Sequence, residues 1–112
     1  MSENIYNYKI VTNASMASTV TSATVDLSKT DGYSVYAKWT GAGAAGSIEL
    51  QASLDDINFV TIINSSTSVA GPGEALWEIT SAFYDKIRVV FLATGGSSGT
   101  LNVQINGKGD RI

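Results

Sequence analysis

Alternation of apolar and polar side chains is the feature that most narrows what this chain can fold into. In residues 47–54 every second side chain is apolar, beginning with Ile48 and Leu50, and the side chains between them are polar. Residues 33–40 and 101–106 follow the same pattern. Because successive side chains of a β-strand point to opposite faces, each segment is predicted to be a half-buried antiparallel strand.

About eight short strands of this kind fit the chain, and turn-forming residues separate them. The predicted fold is therefore all-β, an antiparallel β-sandwich or jelly roll formed by a single domain of residues 1–112. Residues 1–20 are weakly patterned and form either a first strand plus a loop or an N-terminal arm that docks on a neighbour. Residues 58–63 and 86–93 are apolar on both faces, which predicts cover on both sides by a second sheet or another subunit.

Histidine and cysteine are both absent. Their absence excludes a Ser-His-Asp triad, a Cys-His pair, zinc-thiolate sites and disulfide bonds. A carboxylate, lysine or tyrosine enzyme would still need a cleft around its substrate, which a single small sandwich rarely forms. We therefore expect a protein that is not an enzyme and carries no cofactor or metal.

Charge and hydropathy exclude two kinds of partner. The formal net charge is −3, and the seven Lys and Arg residues are scattered rather than grouped into a basic patch, so nucleic acid is not an expected partner. The longest apolar run, residues 89–93, is far shorter than the roughly 20 residues that span a bilayer. The first residues lack the basic and apolar regions of a secretory leader, so we expect synthesis in a cytoplasm.

Two loop motifs have both a functional and a structural interpretation. Residues 41–46, GAGAAG, match the spacing of a dinucleotide-binding loop, but a strand follows where that loop requires a helix, so a flexible hairpin loop is predicted. Asp55, Asp56 and Asn58 could offer oxygen ligands to a cation such as calcium. The favoured alternative is a turn in which these side chains bond their own backbone.

Aromatic side chains suggest one possible ligand site. Tyr36, Trp39 and Trp77 could stack on sugar rings, since aromatic faces suit the apolar side of a pyranose. Trp39 shares a strand face with Val35, however, and Trp77 shares one with Ile79, so packing in the core or in a subunit interface is favoured for both. Tyr36 is the better exposed candidate.

The small number of charged residues favours a protein that functions as part of an assembly. Only 15% of the residues are charged, and the predicted outer faces carry mostly uncharged polar groups, which tolerate burial in a wet contact better than Lys or Glu. We expect a homo-oligomer, most simply a trimer or a larger lattice. The candidate contact residues are Ile5, Tyr6, Tyr8, Val90 and Leu92.

Three segments carry a resemblance to a known class of protein. They are SIELQASLDDINFVTI (residues 47–62), FYDKIRVV (83–90) and GTLNV (99–103). Together they resemble the hairpin and the two later strands of small tailed-phage virion proteins, over roughly residues 20–109. The hairpin pattern is also similar to that of the discoidin-like sandwich lectins.

The first resemblance implies a capsid decoration (cement) protein or another head or tail component. Such proteins are small, often trimeric β-sandwiches or jelly rolls that bind the outer shell, so the implied partner is the major capsid protein and the implied location is the virion. The lectin resemblance implies a carbohydrate-binding module instead. A small tail or adhesion subunit is the third alternative.

Overall fold

The alternating segments form strands in the computed structural model of the chain. The structure describes the backbone of residues 2–26, 32–55, 57–79 and 86–111, and the side chains of residues 7–26, 32–55, 57–79 and 86–107. None of the described residues forms a helix that is long and apolar enough to cross a membrane. The strands are β1 (Ser2–Ser15), β2 (Val20–Thr21), β3 (Val25–Asp26), β4 (Gly32–Thr40), β5 (Ala45–Ser53), β6 (Val60–Thr61), β7 (Thr67–Ala70), β8 (Gly73–Ile79), β9 (Lys86–Ala93) and β10 (Thr100–Arg111).

Two antiparallel sheets pack face to face. One has the order β1-β10-β4-β8 and the other the order β2-β9-β5-β6, with β3 also pairing β9 and β7 also pairing β5. Since β2 and β3 pair successive parts of β9, they act as one interrupted strand, and β6 and β7 do the same along β5. The ten strands thus reduce to eight in the order of a jelly roll, which confirms the predicted fold class.

Burial follows the sequence alternation on the strands where that alternation is clean. On β4 the side chains of Tyr33, Val35, Ala37 and Trp39 are buried, while those between them lie on the outer face. The core between the sheets is completed by the matching positions of the other strands, which are Ile48, Leu50, Ile87, Val89, Phe91, Leu101, Val103 and Ile105. Apolar burial of this kind stabilises by about 25 cal/mol per Å² and is the main force holding the two sheets together.

The first strand is longer than its pattern indicates. Residues 2–15 form β1 and pair with β10 at the edge of the four-stranded sheet, and the register shifts between Lys9 and Val11 and again between Val11 and Ala14. The chain then passes to the second sheet at β2. Residues 2–15 are therefore an edge strand of the sandwich within this chain.

The glycine-rich segment 41–46 is not the hairpin loop that its position between two strands predicts. It follows β4 in the four-stranded sheet and leads into β5 in the other sheet, so it crosses between layers. Gly46 has a φ of +146°, and a Cβ built there would lie 2.1 Å from the Leu92 carbonyl oxygen, so only glycine fits this close approach.

All the crossing connections at this end of the sandwich bond to one another through their backbones. The Gly71 N–H donates to the Ala44 carbonyl at 2.8 Å, the Ser98 N–H to the Gly43 carbonyl at 3.1 Å, and the Met16 N–H to the Gly99 carbonyl at 2.9 Å. Gly99 has a φ of +117°, and a Cβ there would lie 2.2 Å from the Thr40 carbonyl oxygen. The crossing end is therefore closed by main-chain contacts.

Candidate interaction surface

A group of exposed apolar side chains lies at the opposite end of β5 from the crossing connections. Leu54 is 75% exposed, Ile57 79%, Val60 68% and Ile63 85%. These four residues, here called the 54–63 patch, are half of the eight large hydrophobic residues that are exposed among the described side chains. Single exposed apolar residues are ordinary, whereas a contiguous group indicates an interaction site.

Three of the four patch residues, Leu54, Val60 and Ile63, line one cleft of about 640 Å³. Val60 pairs with Ala52, so the two side chains lie on the same face of the six-stranded sheet, yet Ala52 is buried and Val60 is not. The sandwich core therefore ends between these two residues, and apolar surface continues past it. The residues that line the cleft are Ala52, Leu54, Asp55, Asn58, Val60, Thr61, Ile62 and Ile63.

The Asp55 carboxylate fixes the loop that carries the patch. Its Oδ1 accepts the backbone N–H groups of Asn58 at 2.8 Å and Ile57 at 2.9 Å, and its Oδ2 accepts the Asn58 side-chain amide at 2.7 Å. The backbone N–H of Asn58, followed by that of Ile57, holds the pKa of the Asp55 carboxyl well below its ordinary range. This is the self-capped turn favoured by the sequence, and Asp56 lies outside the described residues.

The Ser65 hydroxyl fixes the other end of the same segment. It accepts the Leu50 backbone N–H at 3.1 Å and donates to the Ile62 carbonyl at 2.7 Å, while the Ile62 N–H donates to the Leu50 carbonyl at 2.9 Å. The Ser65 carbonyl in turn accepts the Trp77 indole N–H at 2.8 Å, which ties this segment to the opposite sheet. Ser65 is only 3% exposed, so solvent competes little for these bonds.

A polar network covers the outer face beside the patch. One oxygen of Glu49 accepts the Thr61 hydroxyl at 2.6 Å and the Gln51 amide at 3.0 Å. The Arg88 Nε–H donates to Gln51 at 2.9 Å, and the guanidinium lies 4.1 Å from the centroid of the Phe59 ring. The network joins β5, β6 and β9, so it anchors the patch from the outer side. Among the described residues, no group of three or more acidic side chains is placed to hold a metal ion.

The contact residues predicted from the sequence are spread over the molecule. Tyr8 is 47% exposed on β1 and Leu92 is 43% exposed on β9, in different sheets. Val90 is only 5% exposed and so has little surface left for a partner. Ile5 and Tyr6 lie on β1 opposite Lys108 and Gly107, and their side chains lie outside the described ones.

The three proposed sugar-stacking residues do not form one platform. Trp39 is 4% exposed and donates its indole N–H to the Gly71 carbonyl at 2.9 Å, and Trp77 is partly buried on the same inner face. Tyr36 lies on the outer face of the sheet, because it alternates with the buried residues of β4. Its hydroxyl donates to Glu74 at 2.6 Å, and this bond raises the pKa of Tyr36 above its ordinary value.

Comparison with known proteins shows the fold. No protein-family model matches the chain, and no curated protein matches it by sequence. Among solved structures, the SPBc2 prophage-derived protein YomS superposes with a TM-score of 0.70 at 13% identity, over 96% of each chain. The PBSX exported protein XepA gives 0.70 at 12% identity over 96% of this chain, which spans only 38% of XepA.

A third similar structure is that of a chitosan-binding module. Chitosan-binding module 1, derived from a chitosanase/glucanase of Paenibacillus sp. IK-5, superposes with a TM-score of 0.53 at 19% identity, over 88% of this chain and 74% of the module. All three identities are low, so the likeness is one of fold.

Substitution of Asp55 by Ala should loosen the patch in a pH-dependent way. Because the folded state lowers the pKa of Asp55, the ionised carboxylate stabilises the fold above its ordinary pKa of about 3.9, and that contribution is lost as the pH falls below it. Urea unfolding at pH 7 should show the variant to be less stable than the parent, and the gap should narrow at pH 2.5. Equal stability at pH 7, or a gap that does not change with pH, would contradict the role given to this carboxylate.

Proposed function

We propose that the chain is a non-enzymatic structural protein of a phage virion, specifically a capsid decoration (cement) protein that acts as a homo-oligomer, most simply a trimer. Its partners would be its own copies and the major capsid protein, without nucleic acid or membrane. The full-length likeness to a prophage-derived protein supports a phage origin. The observation that carries the proposal is the rigidly held, apolar 54–63 patch.

A rigid patch favours binding, because association costs conformational entropy for every group that it orders. The Asp55 turn and the Ser65 bridge already order the backbone on both sides of the patch, so docking would cost little further entropy. Covering apolar surface stabilises a contact by about 25 cal/mol per Å² before such costs. An oligomer formed through the patch presents its remaining surface in several copies, and multivalent attachment to a repeating shell strengthens binding further.

The outer sheet faces suit close packing in a shell. Outward positions of β10 carry Asn102, Gln104 and Asn106, and those of β5 include Ser47 and Gln51. Amide and hydroxyl groups form hydrogen bonds across a wet interface without the desolvation cost of a buried charge. Tyr8 and Leu92 remain candidate contacts at the edges of such an interface.

Charged substitutions in the patch should break the oligomer without unfolding the chain. Full burial of one Val or Ile side chain is worth roughly 1.5–3 kcal/mol, so Ile63→Asp or Val60→Asp should weaken self-association by at least about tenfold. Both side chains are exposed within the chain, so the variants should stay folded, with the circular dichroism of the parent, and their Tm should fall only by what loss of the oligomer removes. Sedimentation velocity and light scattering would measure the association.

Leu76→Asp is the matched control, since Leu76 is 62% exposed on the other sheet, away from the patch. It should leave the oligomer intact. A parent protein that is monomeric at micromolar concentration, or a Leu76 variant as defective as Ile63→Asp, would contradict the proposal.

Particle composition tests the virion assignment directly. Quantitative mass spectrometry of purified particles of the encoding phage should detect the chain at a copy number comparable to that of the major capsid protein. Deletion of the gene should leave intact heads that lose their DNA at a lower temperature. Absence from purified particles would refute the virion role, and a location confined to the tail would replace decoration by a tail or adhesion role.

Carbohydrate binding is the second candidate, favoured by the likeness to the chitosan-binding module and by the Tyr36–Glu74 pair on an open sheet face. On this alternative the chain should bind chitosan oligosaccharides in calorimetry, and Tyr36→Ala should weaken binding roughly 5- to 150-fold, since stacking on an aromatic ring is worth roughly 1–3 kcal/mol. Trp39→Phe is the control, because Trp39 is buried. No heat of binding at millimolar ligand would remove this candidate.

A further inference from the structure

Strand β8 has an open edge. It pairs with β4 along all seven residues, from Gly73 opposite Trp39 to Ile79 opposite Tyr33, without a register shift. On its other side none of the described residues makes a backbone hydrogen bond to it. Every second residue of an antiparallel edge strand turns its N–H and C=O outward, so β8 presents a regular row of donors and acceptors that no other described strand pairs.

The other sheet edges in the described part of the chain are interrupted or short. β1 pairs regularly with β10 from Ser2 to Lys9, but beyond Lys9 two register shifts and a left-handed Asn13, with a φ of +49°, interrupt it. β2, β3 and β6 have two residues each, and β7 has four. Bulged and short strands are poor templates for another strand. Among the described edge strands of four or more paired residues beside a long partner, β8 keeps one register over its whole length.

Contacts on both faces hold β8 in place. On the inner face Trp77 donates to the Ser65 carbonyl at 2.8 Å, and on the outer face Glu74 accepts the Tyr36 hydroxyl at 2.6 Å. An added strand would therefore meet a template that is already ordered, which favours binding.

The outward side chains of β8 alternate acidic, apolar, acidic: Glu74, Leu76 and Glu78 are all exposed. On the neighbouring strand they face Lys38, Tyr36 and Ser34 respectively. A complementary strand would carry an apolar residue opposite Leu76 and a Lys or Arg two positions away on either side, because opposite charges directly across a strand pair attract.

A second copy of β8 fits this edge poorly. Antiparallel pairing of two β8 strands about Leu76 would set Glu74 of one against Glu78 of the other, twice over, and like charges directly opposite destabilise a pair. The acidic pattern thus disfavours self-pairing in this register and favours a strand with basic side chains.

We propose that the β8 edge binds an extended basic–apolar–basic segment of another protein by strand addition. This goes beyond the proposed function, since it depends on β8 alone and not on the 54–63 patch or on where in a particle the chain resides. The partner is identified by its chemistry: seven or so extended residues with cationic side chains on both sides of an apolar one.

The test uses the full chain, labelled with ¹⁵N, and the synthetic peptide acetyl-Thr-Lys-Thr-Leu-Thr-Lys-Thr-amide. Backbone amides of residues 73–79 should shift and become protected from hydrogen exchange. Binding should weaken at high salt, because both ion pairs are exposed. The double variant Glu74→Gln/Glu78→Gln should bind roughly two- to thirtyfold more weakly, the range that two cross-strand ion pairs are worth.

Three controls make the test decisive. The same peptide with Glu in place of Lys should not bind, and a version with alternate backbone amides N-methylated should lose binding, because strand addition needs those donors. Asp26→Asn, which removes an exposed acid on the other sheet, should bind like the parent. No shift at 1 mM peptide, shifts outside β8 and its neighbour β4, or equal binding of the N-methylated peptide would each overturn the proposal. None of these outcomes bears on whether Ile63→Asp breaks the oligomer.

Discussion

Ser65 joins the segment that carries the 54–63 patch to strand β8, through its hydroxyl and its backbone carbonyl. It takes the place of a strand partner for Leu50 where the edge of the six-stranded sheet is interrupted, between β6 and β7. The Ser65 carbonyl holds the Trp77 indole, and so links this gap to β8 in the opposite sheet. Without the hydroxyl, the Leu50 N–H would be buried without this partner, which costs about 1–3 kcal/mol. The hydroxyl thus fixes the segment that follows the 54–63 patch, while β8 is also held by its pairing with β4 along seven residues.

The alternation of apolar and polar side chains predicted the strands well where one face is buried and the other is exposed to solvent. Residues 33–40, 47–53 and 101–106 lie in strands with the predicted inner faces, but the prediction for Leu54 was wrong, since it lies beyond the end of β5 and is exposed. Local pattern does not predict sheet membership, because the partner of a strand is distant in the chain, and so the predicted hairpin at 41–46 was wrong. The sequence does not predict strand β7, since only Val69 of its four residues is buried and no alternation results.

The segments that are apolar on both faces, residues 58–63 and 86–93, show the same limit of local pattern. Their composition predicted cover on both sides, but the identity of that cover depends on tertiary packing. Val90 is covered within the chain, whereas Leu92, two residues later, is 43% exposed. In residues 58–63 the cover is absent among the described residues for Val60 and Ile63. The apolar side chains on both faces of residues 58–63 were therefore visible in the sequence, and the structure shows which of them are exposed.

The closed crossing end sets a limit on how the chain can vary. Loops of a β-sandwich ordinarily accept insertions because they lie on the surface and bond to water. Here four connections are joined to one another by backbone hydrogen bonds, and Gly46 and Gly99 leave no space even for a methyl group. Extra residues in any one of them would disturb the connections bonded to it. Changes of length in related chains, and loops grafted by design, should therefore be confined to the opposite end, where the 54–63 segment meets solvent.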